Sequence, residues 1–257
     1  MARFAKVVLQ AESVSQLEKK INEIQTRVLT ATHAQVIKDK GITKILAADL
    51  ELATYTGHEK SLIKDSFYRL SADPALGNRF RAYSKLAVKL GERAVVMAHE
   101  PYEQSIENNY DLGGQKRALS PVEDCILESD TLQACIQTTL HLAVNSGEFS
   151  ADEDFQVGIH QVRYLAIDDQ TSFASPKGFH KDDERIVSVY LVDRSKNALG
   201  GSNPIAHDGK REVSSYSLSG YLDSITFDRS IYHAVTPLAS NDGLAAFRDV
   251  FLVTVLN

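Results

Sequence analysis

The chain has 257 residues, 43% hydrophobic and 24% charged, a balance that suits one large globular unit burying roughly 70–75% of the surface its unfolded form exposes. A net charge of −6 provides no long-range attraction to phosphate backbones or anionic lipid, and no stretch approaches the roughly 18 apolar residues of a membrane span, so neither nucleic acid nor membrane is expected as a partner. The two cysteines, Cys125 and Cys135, lie ten positions apart in a stretch of helical periodicity, where a disulfide closes with difficulty. That pattern, with no signal-like apolar run in residues 1–10, suits buried thiols in the cytoplasm.

In chain order, residues 2–10 read as a short strand carried by Phe4, Val7, Val8 and Leu9. Residues 13–38 change period: Leu17, Ile21, Ile24, Val28 and Leu29 recur at three- and four-residue steps, and Ser15 with Glu18 has capping-box spacing. Helical periodicity is also predicted for 42–53, 86–90 and, with Pro121 in its first turn, 121–144. Between the last two, the polar, aromatic and glycine-punctuated segment from Tyr102 to Arg117 suits a loop or hairpin able to line a pocket. Beyond Glu148 the texture turns to strands, at 155–167, 186–194, 224–230 and 250–256, rich in Val, Ile, Tyr, Phe and Thr. About 110 residues of short strands without intervening helices predict an antiparallel sandwich or barrel. The expected organisation is a single unit over 1–257, with 1–150 mainly helical support and lid and 151–257 the β-core.

The chemistry concentrates in the second half. In Gly178-Phe179-His180-Lys181-Asp182-Asp183-Glu184, residues two apart in an extended chain share a side, so His180 and Asp182 can present an imidazole and a carboxylate to one ion. Asp183 is the alternative only if the chain kinks. His233, in Tyr232-His233-Ala234-Val235-Thr236-Pro237, is the natural third ligand; two histidines and one carboxylate make the facial triad of iron(II) oxygenases. His160 and His207 are the substitutes within the β-half. Arg248 opens an apolar strand, where a guanidinium is costly unless an anion meets it, and its planar fork suits a carboxylate. Arg163 and Gln161, on one side of the strand 155–167, and Arg117, beside Gly113-Gly114, are candidate substrate contacts with surface salt bridges as the competing role. Gly200-Gly201 is expected to form a tight turn.

The spacing His-x-Asp, then His233, then Arg248 resembles the iron- and 2-oxoglutarate-dependent dioxygenases. Within them, the runs around Gly178–Asp182, Gly200-Gly201, Tyr232–Pro237 and Phe247–Val250 resemble the bacterial amino-acid hydroxylases typified by L-isoleucine 4-hydroxylase, most firmly over residues 155–257. Upstream the likeness continues through the segments at 65–70, 79–83 and 102–104. The resemblance implies an α+β fold with a double-stranded β-helix, a cupin-like jelly-roll, whose mouth holds Fe(II) on His180, Asp182 and His233. It also implies that 2-oxoglutarate is the cosubstrate, clamped at its C5-carboxylate by Arg248, with molecular oxygen as the other reactant. Succinate and CO2 leave as a hydroxyl group is installed on a small free amino acid with an isoleucine-like side chain; sulfoxidation of a thioether is the expected side activity. Halogenating relatives have a small residue where Asp182 stands, so Asp182 implies hydroxylation. Many relatives place Ser or Thr two positions after the arginine; Val250 is there instead, so a Tyr or Thr on a neighbouring strand is expected to share the cosubstrate carboxylate. A dioxygenase acting on a carrier- or peptide-bound intermediate and a non-catalytic jelly-roll binding protein are the alternative functions, and the oligomeric state, a homodimer included, stays open.

Overall fold

The computed structural model describes residues 14–50, 52, 57–168 and 170–256. The strand expected at 2–10, the Ser15–Glu18 capping pair and the side chains of Leu17, Ile21 and Ile24 lie outside the described residues.

Helix α1 (Val14–Lys40) covers the predicted span. Its buried stripe is Thr30, Ala34 and Ile37, spaced four and three, whereas Val28 is exposed. The next segment departs from expectation. Residues 42–53 were expected to be helical, but Ile42–Ile45 forms β1 and Ala47–Leu50 a single 3₁₀ turn; Ala53 is outside the described residues. β-branched Ile42, Thr43 and Ile45 suit a pleated surface, and the pairing they find along Ser224–Asp228 overrides a weak local period. Helix α2 (Gly57–Ser66) follows. Then Arg79–Val88, expected to carry a helix at its end, instead forms β2, with β3 at Val95–Val96. The predicted helix at 121–144 divides into α3 (Asp124–Leu127) and α4 (Asp130–Asn145). Ser129 starts the second by accepting from the Leu132 backbone N–H at 3.2 Å, the N-cap role that suits serine.

The strand-rich half is β4 (Phe155–Ala166), β5 (Ile186–Arg194), β6 (Ala198–Leu199), β7 (Asn203–Ala206), β8 (Glu212–Tyr216), β9 (Ser224–Asp228), β10 (Tyr232–His233), β11 (Ala239–Ser240) and β12 (Ala246–Val255). The main sheet has seven strands in the order β1-β9-β5-β12-β4-β2-β3, and smaller sheets run β10-β7-β8 and β11-β6. The sheet pairings are antiparallel, and the architecture is the expected jelly-roll with helices on one side. Strands from both sides of residue 150 share this sheet: β1, β2 and β3 come from the first half and pair into it with β4, β5, β9 and β12.

Both faces of that sheet are covered, which is why β4, β5 and β12 are buried almost continuously. On one face Phe155, Val157, Ile159, Tyr190, Phe251, Val253 and Leu86 pack against Ile37, Ile63, Ile136 and Leu140 of the helices. On the other, Val162, Tyr164, Leu191, Val250 and Phe227 pack with Ile205 of the small sheet. Alternation along β2, β4 and β12 therefore decides which side chains see the mouth of the roll. Among the described residues no helix is long and apolar enough to cross a membrane.

Candidate active site

The mouth-facing row of β4 is His160, Val162 and Tyr164; that of β2 is Arg79, Arg81 and Tyr83; that of β12 is Arg248, Val250, Leu252 and Thr254, as the registers Tyr164↔Arg248, Tyr164↔Arg79 and Val162↔Arg81 require. Between this face and the small sheet lies a cavity of about 590 Å³ of atom-free space, partly open to solvent. Its walls include Arg81, Tyr102, His160, Tyr164 and Glu184 together with His180, Asp182 and His233.

The two histidines meet although they are 53 positions apart in the chain. His180 and His233 form an isolated antiparallel bridge in which each backbone N–H donates to the other's carbonyl, at 3.0 and 2.9 Å. That pairing sets their imidazole centroids 4.3 Å apart. The His180 Nε2 lies 3.8 Å from Asp182 Oδ1, and the His233 Nε2 lies 3.4 Å from Asp182 Oδ2. One donor atom from each residue falls within 4.8 Å of the other two, the one such group of three found among the described residues. Donors about 2.1 Å from a divalent ion and at right angles stand about 3 Å apart, so these separations need only slight contraction to hold one ion.

The donor chemistry fits as well. His180 Nδ1 donates to the Gly178 carbonyl at 3.0 Å, which orients the ring and leaves Nε2 free as a ligand. Burial, then His180, holds the His233 pKa well below the ordinary histidine value, so the ring is neutral and available to a metal. Its Nδ1 is buried without a hydrogen-bond partner in good geometry, although the Ile231 backbone lies near enough to oppose the downward shift. Burial raises the Asp182 pKa, with His180 pulling the other way; a largely buried carboxylate between two imidazoles calls for a cation. Glu184 is pushed up to about 8, mainly by burial and next by Asp182, which disfavours a second negative charge beside the triad.

Asp183 points away, as one-residue alternation requires. It accepts from the Ser105 backbone N–H at 2.7 Å, Ser105 Oγ at 2.5 Å and Asn108 Nδ2 at 2.6 Å. The Gly178 N–H donates to Tyr110 Oη at 2.8 Å and the Lys177 N–H to Asp111 at 3.1 Å. The polar loop is thus fastened along the segment bearing His180 and Asp182. It closes as a hairpin through reciprocal backbone bonds between Tyr102 and Arg117, at 3.0 and 2.8 Å.

Arg248 begins the β12 row whose later members Leu252 and Thr254 line the cavity, and it is 2% exposed. Burial pushes its guanidinium down to about 10, and its Nη2 has no partner. Directly across the strand pair is Tyr164, a tyrosine on a neighbouring strand, whose ring centroid is 5.8 Å from the guanidinium carbon. Gly200 and Gly201 form the expected turn, at φ +72° and +66°. A Cβ on Gly200 would stand 1.8 Å from the Pro237 carbonyl oxygen, and one on Gly201 would stand 2.8 Å from Arg248 Cδ, so the turn is also what seats Arg248.

Two expected substrate contacts are overturned. Arg163 and Gln161 do share a side of β4, but it is the helix face. Arg163 is bidentate to Asp249, at 2.7 and 2.6 Å, and stacks 3.8 Å over Tyr68, while Gln161 donates to Ser66 Oγ at 2.7 Å. The reason is parity: Val162 and Tyr164 fill the cavity side, so 161 and 163 cannot. Arg117 is buried beside the cavity residues Tyr102 and Gln104. His160 lines the cavity without joining the triad, stacked on Tyr83, and His207 is exposed. The residues that sequence reasoning passed over are Arg81, Tyr102 and Glu184. Their signal was present: Arg79-x-Arg81-x-Tyr83 alternates with Phe80, Ala82 and Ser84, a two-residue period with charge on one side.

Comparison with known proteins agrees with this geometry. The profile of the 2OG-Fe dioxygenase family matches residues 64–254. An L-isoleucine-4-hydroxylase of Bacillus thuringiensis is 35% identical over 190 residues, 73% of this chain and 79% of that protein. A 3(1)-hydroxy-L-isoleucine 4-dioxygenase of Pantoea ananatis is 28% identical over 194 residues, 75% of this chain and 78% of that protein. The crystal structure of IDO from Bacillus thuringiensis superposes with a TM-score of 0.74 at 27% identity, covering 88% of this chain and 94% of that one. With the profile spanning most of the chain and a triad standing where its chemistry requires, the chain belongs to the 2OG-Fe dioxygenases, enzymes that use iron(II), 2-oxoglutarate and oxygen.

Proposed function

We propose that this enzyme hydroxylates an unactivated carbon of a small free L-amino acid with an aliphatic, isoleucine-like side chain. Substrate C–H, 2-oxoglutarate and O2 become C–OH, succinate and CO2. His180, Asp182 and His233 are the residues that would hold iron(II), and Arg248 with Tyr164 the pair that would receive the C5-carboxylate of 2-oxoglutarate. When bound, the metal and its cosubstrate supply the oxidising chemistry. The chain supplies orientation: the reciprocal His180–His233 bridge fixes two donors, and Asp182 completes one face, leaving the opposite face to reactants. Arg248 brings a buried charge that is unmatched until an anion arrives. The fastened loop keeps solvent from the reacting carbon and favours a small free substrate over a tethered one.

The observation that carries this reading is the convergence of the triad on a cavity lined also by Tyr164, the residue across the strand pair from the buried Arg248. The names of the relatives support the amino-acid substrate. We further infer that the whole chain works as one dioxygenase domain, since strands from both halves share its sheet. A reducing, cytoplasmic setting suits two free thiols, of which Cys135 is buried as expected whereas Cys125 is exposed. The test is to load the protein anaerobically with iron(II) and 2-oxoglutarate, admit oxygen with each common amino acid, and follow succinate and a product one oxygen atom heavier. An aliphatic amino acid should give both in equal amounts, and Asp182→Ala should give neither. Failure of every amino acid to raise succinate above the substrate-free level would overturn the reading, and full hydroxylation by Asp182→Ala would overturn the ligand set.

A further inference from the structure

Two strands away from Arg248 on the same face of the sheet stands a second cationic group, of which Arg81 lines the cavity. Arg81 projects from β2 and Arg117 from the closing strand of the hairpin loop. Their guanidinium carbons each lie 4.7 Å from the centroid of the Tyr102 ring. They are 7% and 3% exposed. Their hydrogen-bond partners are neutral, although Asp182 and Glu184 lie within electrostatic reach of Arg81: Arg81 Nη2 donates to His160 Nδ1 at 2.7 Å, and Arg117 Nη2 donates to Gln104 Oε1 at 2.9 Å. Burial and three nearby arginines hold His160 uncharged, with its proton on the other nitrogen. Arg81 Nε and both Nε and Nη1 of Arg117 are buried with no partner at all.

Arg79 shows what a purely structural arginine looks like on this same strand face. It is closed off by Asp73, with contacts of 2.9 and 2.5 Å. Arg81 and Arg117 have no such acid within ion-pair distance among the described residues. Two buried guanidinium groups with three idle donors are costly unless an anion from outside completes them. That anion is not the cosubstrate's distal carboxylate. Arg248 sits on β12 and Arg81 on β2, with β4 between them, which at about 4.8 Å per strand puts their backbones roughly 10 Å apart across the sheet.

We propose that Arg81, on the cavity wall, and Arg117, packed like it against Tyr102, anchor the α-carboxylate of the primary substrate and so direct its aliphatic side chain toward the triad. Planar forks meet a carboxylate in two places and fix its direction as well as its distance. Because Arg117 arrives on the hairpin, substrate capture is coupled to seating of the loop through the Asp183 contacts. The inference rests on the amino-acid reading and adds the residues that would recognise its charged end.

The experiment is anaerobic calorimetric titration of the manganese(II)- and 2-oxoglutarate-loaded protein with L-isoleucine and with L-isoleucinamide, which lacks the carboxylate charge. Wild type should prefer the acid by about 30-fold or more, as removal of one member of a buried charge pair implies. Arg81→Met and Arg117→Met should each lose most of that preference by weakening the acid, with amide affinity changed less than about threefold, while Arg81→Lys retains part of it. Affinity for 2-oxoglutarate, titrated separately, should stay within about twofold and report that the variants are folded. Variants that bind 2-oxoglutarate normally yet keep the wild-type preference for the acid overturn the inference, as does a wild type that binds acid and amide alike. If wild type binds neither compound nor any other amino acid, the amino-acid reading fails and this inference with it. Should a methionine variant fail to bind 2-oxoglutarate, Arg81→Lys and Arg117→Lys decide, and an unchanged acid preference in both overturns it.

Discussion

Replacing Arg248 by methionine separates two effects that have opposite signs. The guanidinium is 2% exposed, its Nη2 has no partner, and burial pushes its pKa down to about 10. Removing it from the unliganded protein relieves a desolvation cost, so the ligand-free variant should melt at or above the wild-type temperature. The liganded protein loses instead. Deleting one partner of a buried pair costs about 2–5 kcal/mol, and the middle of that range, about 3 kcal/mol, is roughly a hundredfold in Kd. With 2-oxoglutarate at a hundred times the wild-type Kd, mass action stabilises wild type by about 2.7 kcal/mol; the variant then sits near its own Kd and gains about 0.4 kcal/mol. At roughly 2–4 °C per kcal/mol for a chain of this size, the ligand-induced shift should be about 5–11 °C for wild type and about 1–2 °C for the variant. Scanning calorimetry with manganese(II) present throughout measures both quantities. A variant that keeps the full ligand-induced shift, or whose ligand-free form melts well below wild type, would refute the argument that Arg248 awaits an anion.

Three further outcomes follow from the same geometry. Arg163→Ala should destabilise the fold by about 3–5 kcal/mol, because Asp249 is left buried and unpaired, yet leave the 2-oxoglutarate shift intact; a change in that shift in a folded variant would place Arg163 at the cavity after all. His160 is neutral in the fold because burial and its arginine neighbours hold its pKa well below 6.5. The unfolded chain therefore takes up a proton that the fold refuses. Stability is insensitive to His160 above pH 6.5 and falls below it, by up to about 1.4 kcal/mol per pH unit. Urea denaturation of His160→Gln between pH 7.5 and 5 should show a correspondingly shallower acid slope, and an unchanged slope would contradict a neutral His160. Asp183→Ala should raise KM for the amino acid about tenfold by releasing the hairpin loop, with manganese affinity unchanged. An equal loss of metal binding would mean that Asp183 supports the ligands directly.

How much of this was legible beforehand depended on whether a signal was local. The triad and Arg248 could be read because their residue types are scarce and their surroundings distinctive: His180 and Asp182 two apart before a strand, His233 ahead of Pro237, and Arg248 in an apolar run. β5 matched its predicted bounds because 186–194 is nearly uninterrupted Val, Ile, Tyr and Leu. Residues 79–88 were harder. The alternation of Arg79 and Arg81 with Phe80 and Ala82 is short and loses its polarity at Tyr83 and Ser84, and Leu86 with Leu90 mimics a helical step.

The amino-acid order by itself determined the donor set of the triad, and through the family likeness the expectation of a carboxylate clamp at Arg248 with a substitute where Val250 stands, because residue type and short-range spacing carry both. Only the tertiary structure decided which residue meets which. Tyr164 comes to stand beside Arg248 through a strand register, Arg163 turns to Asp249 because position 163 has the wrong parity for the cavity, and Arg81 and Arg117 both pack against Tyr102 only once the hairpin has closed over β2. Those pairings are set by long-range hydrogen-bond registers and by which sheet face the helices cover, and no window of local sequence contains either.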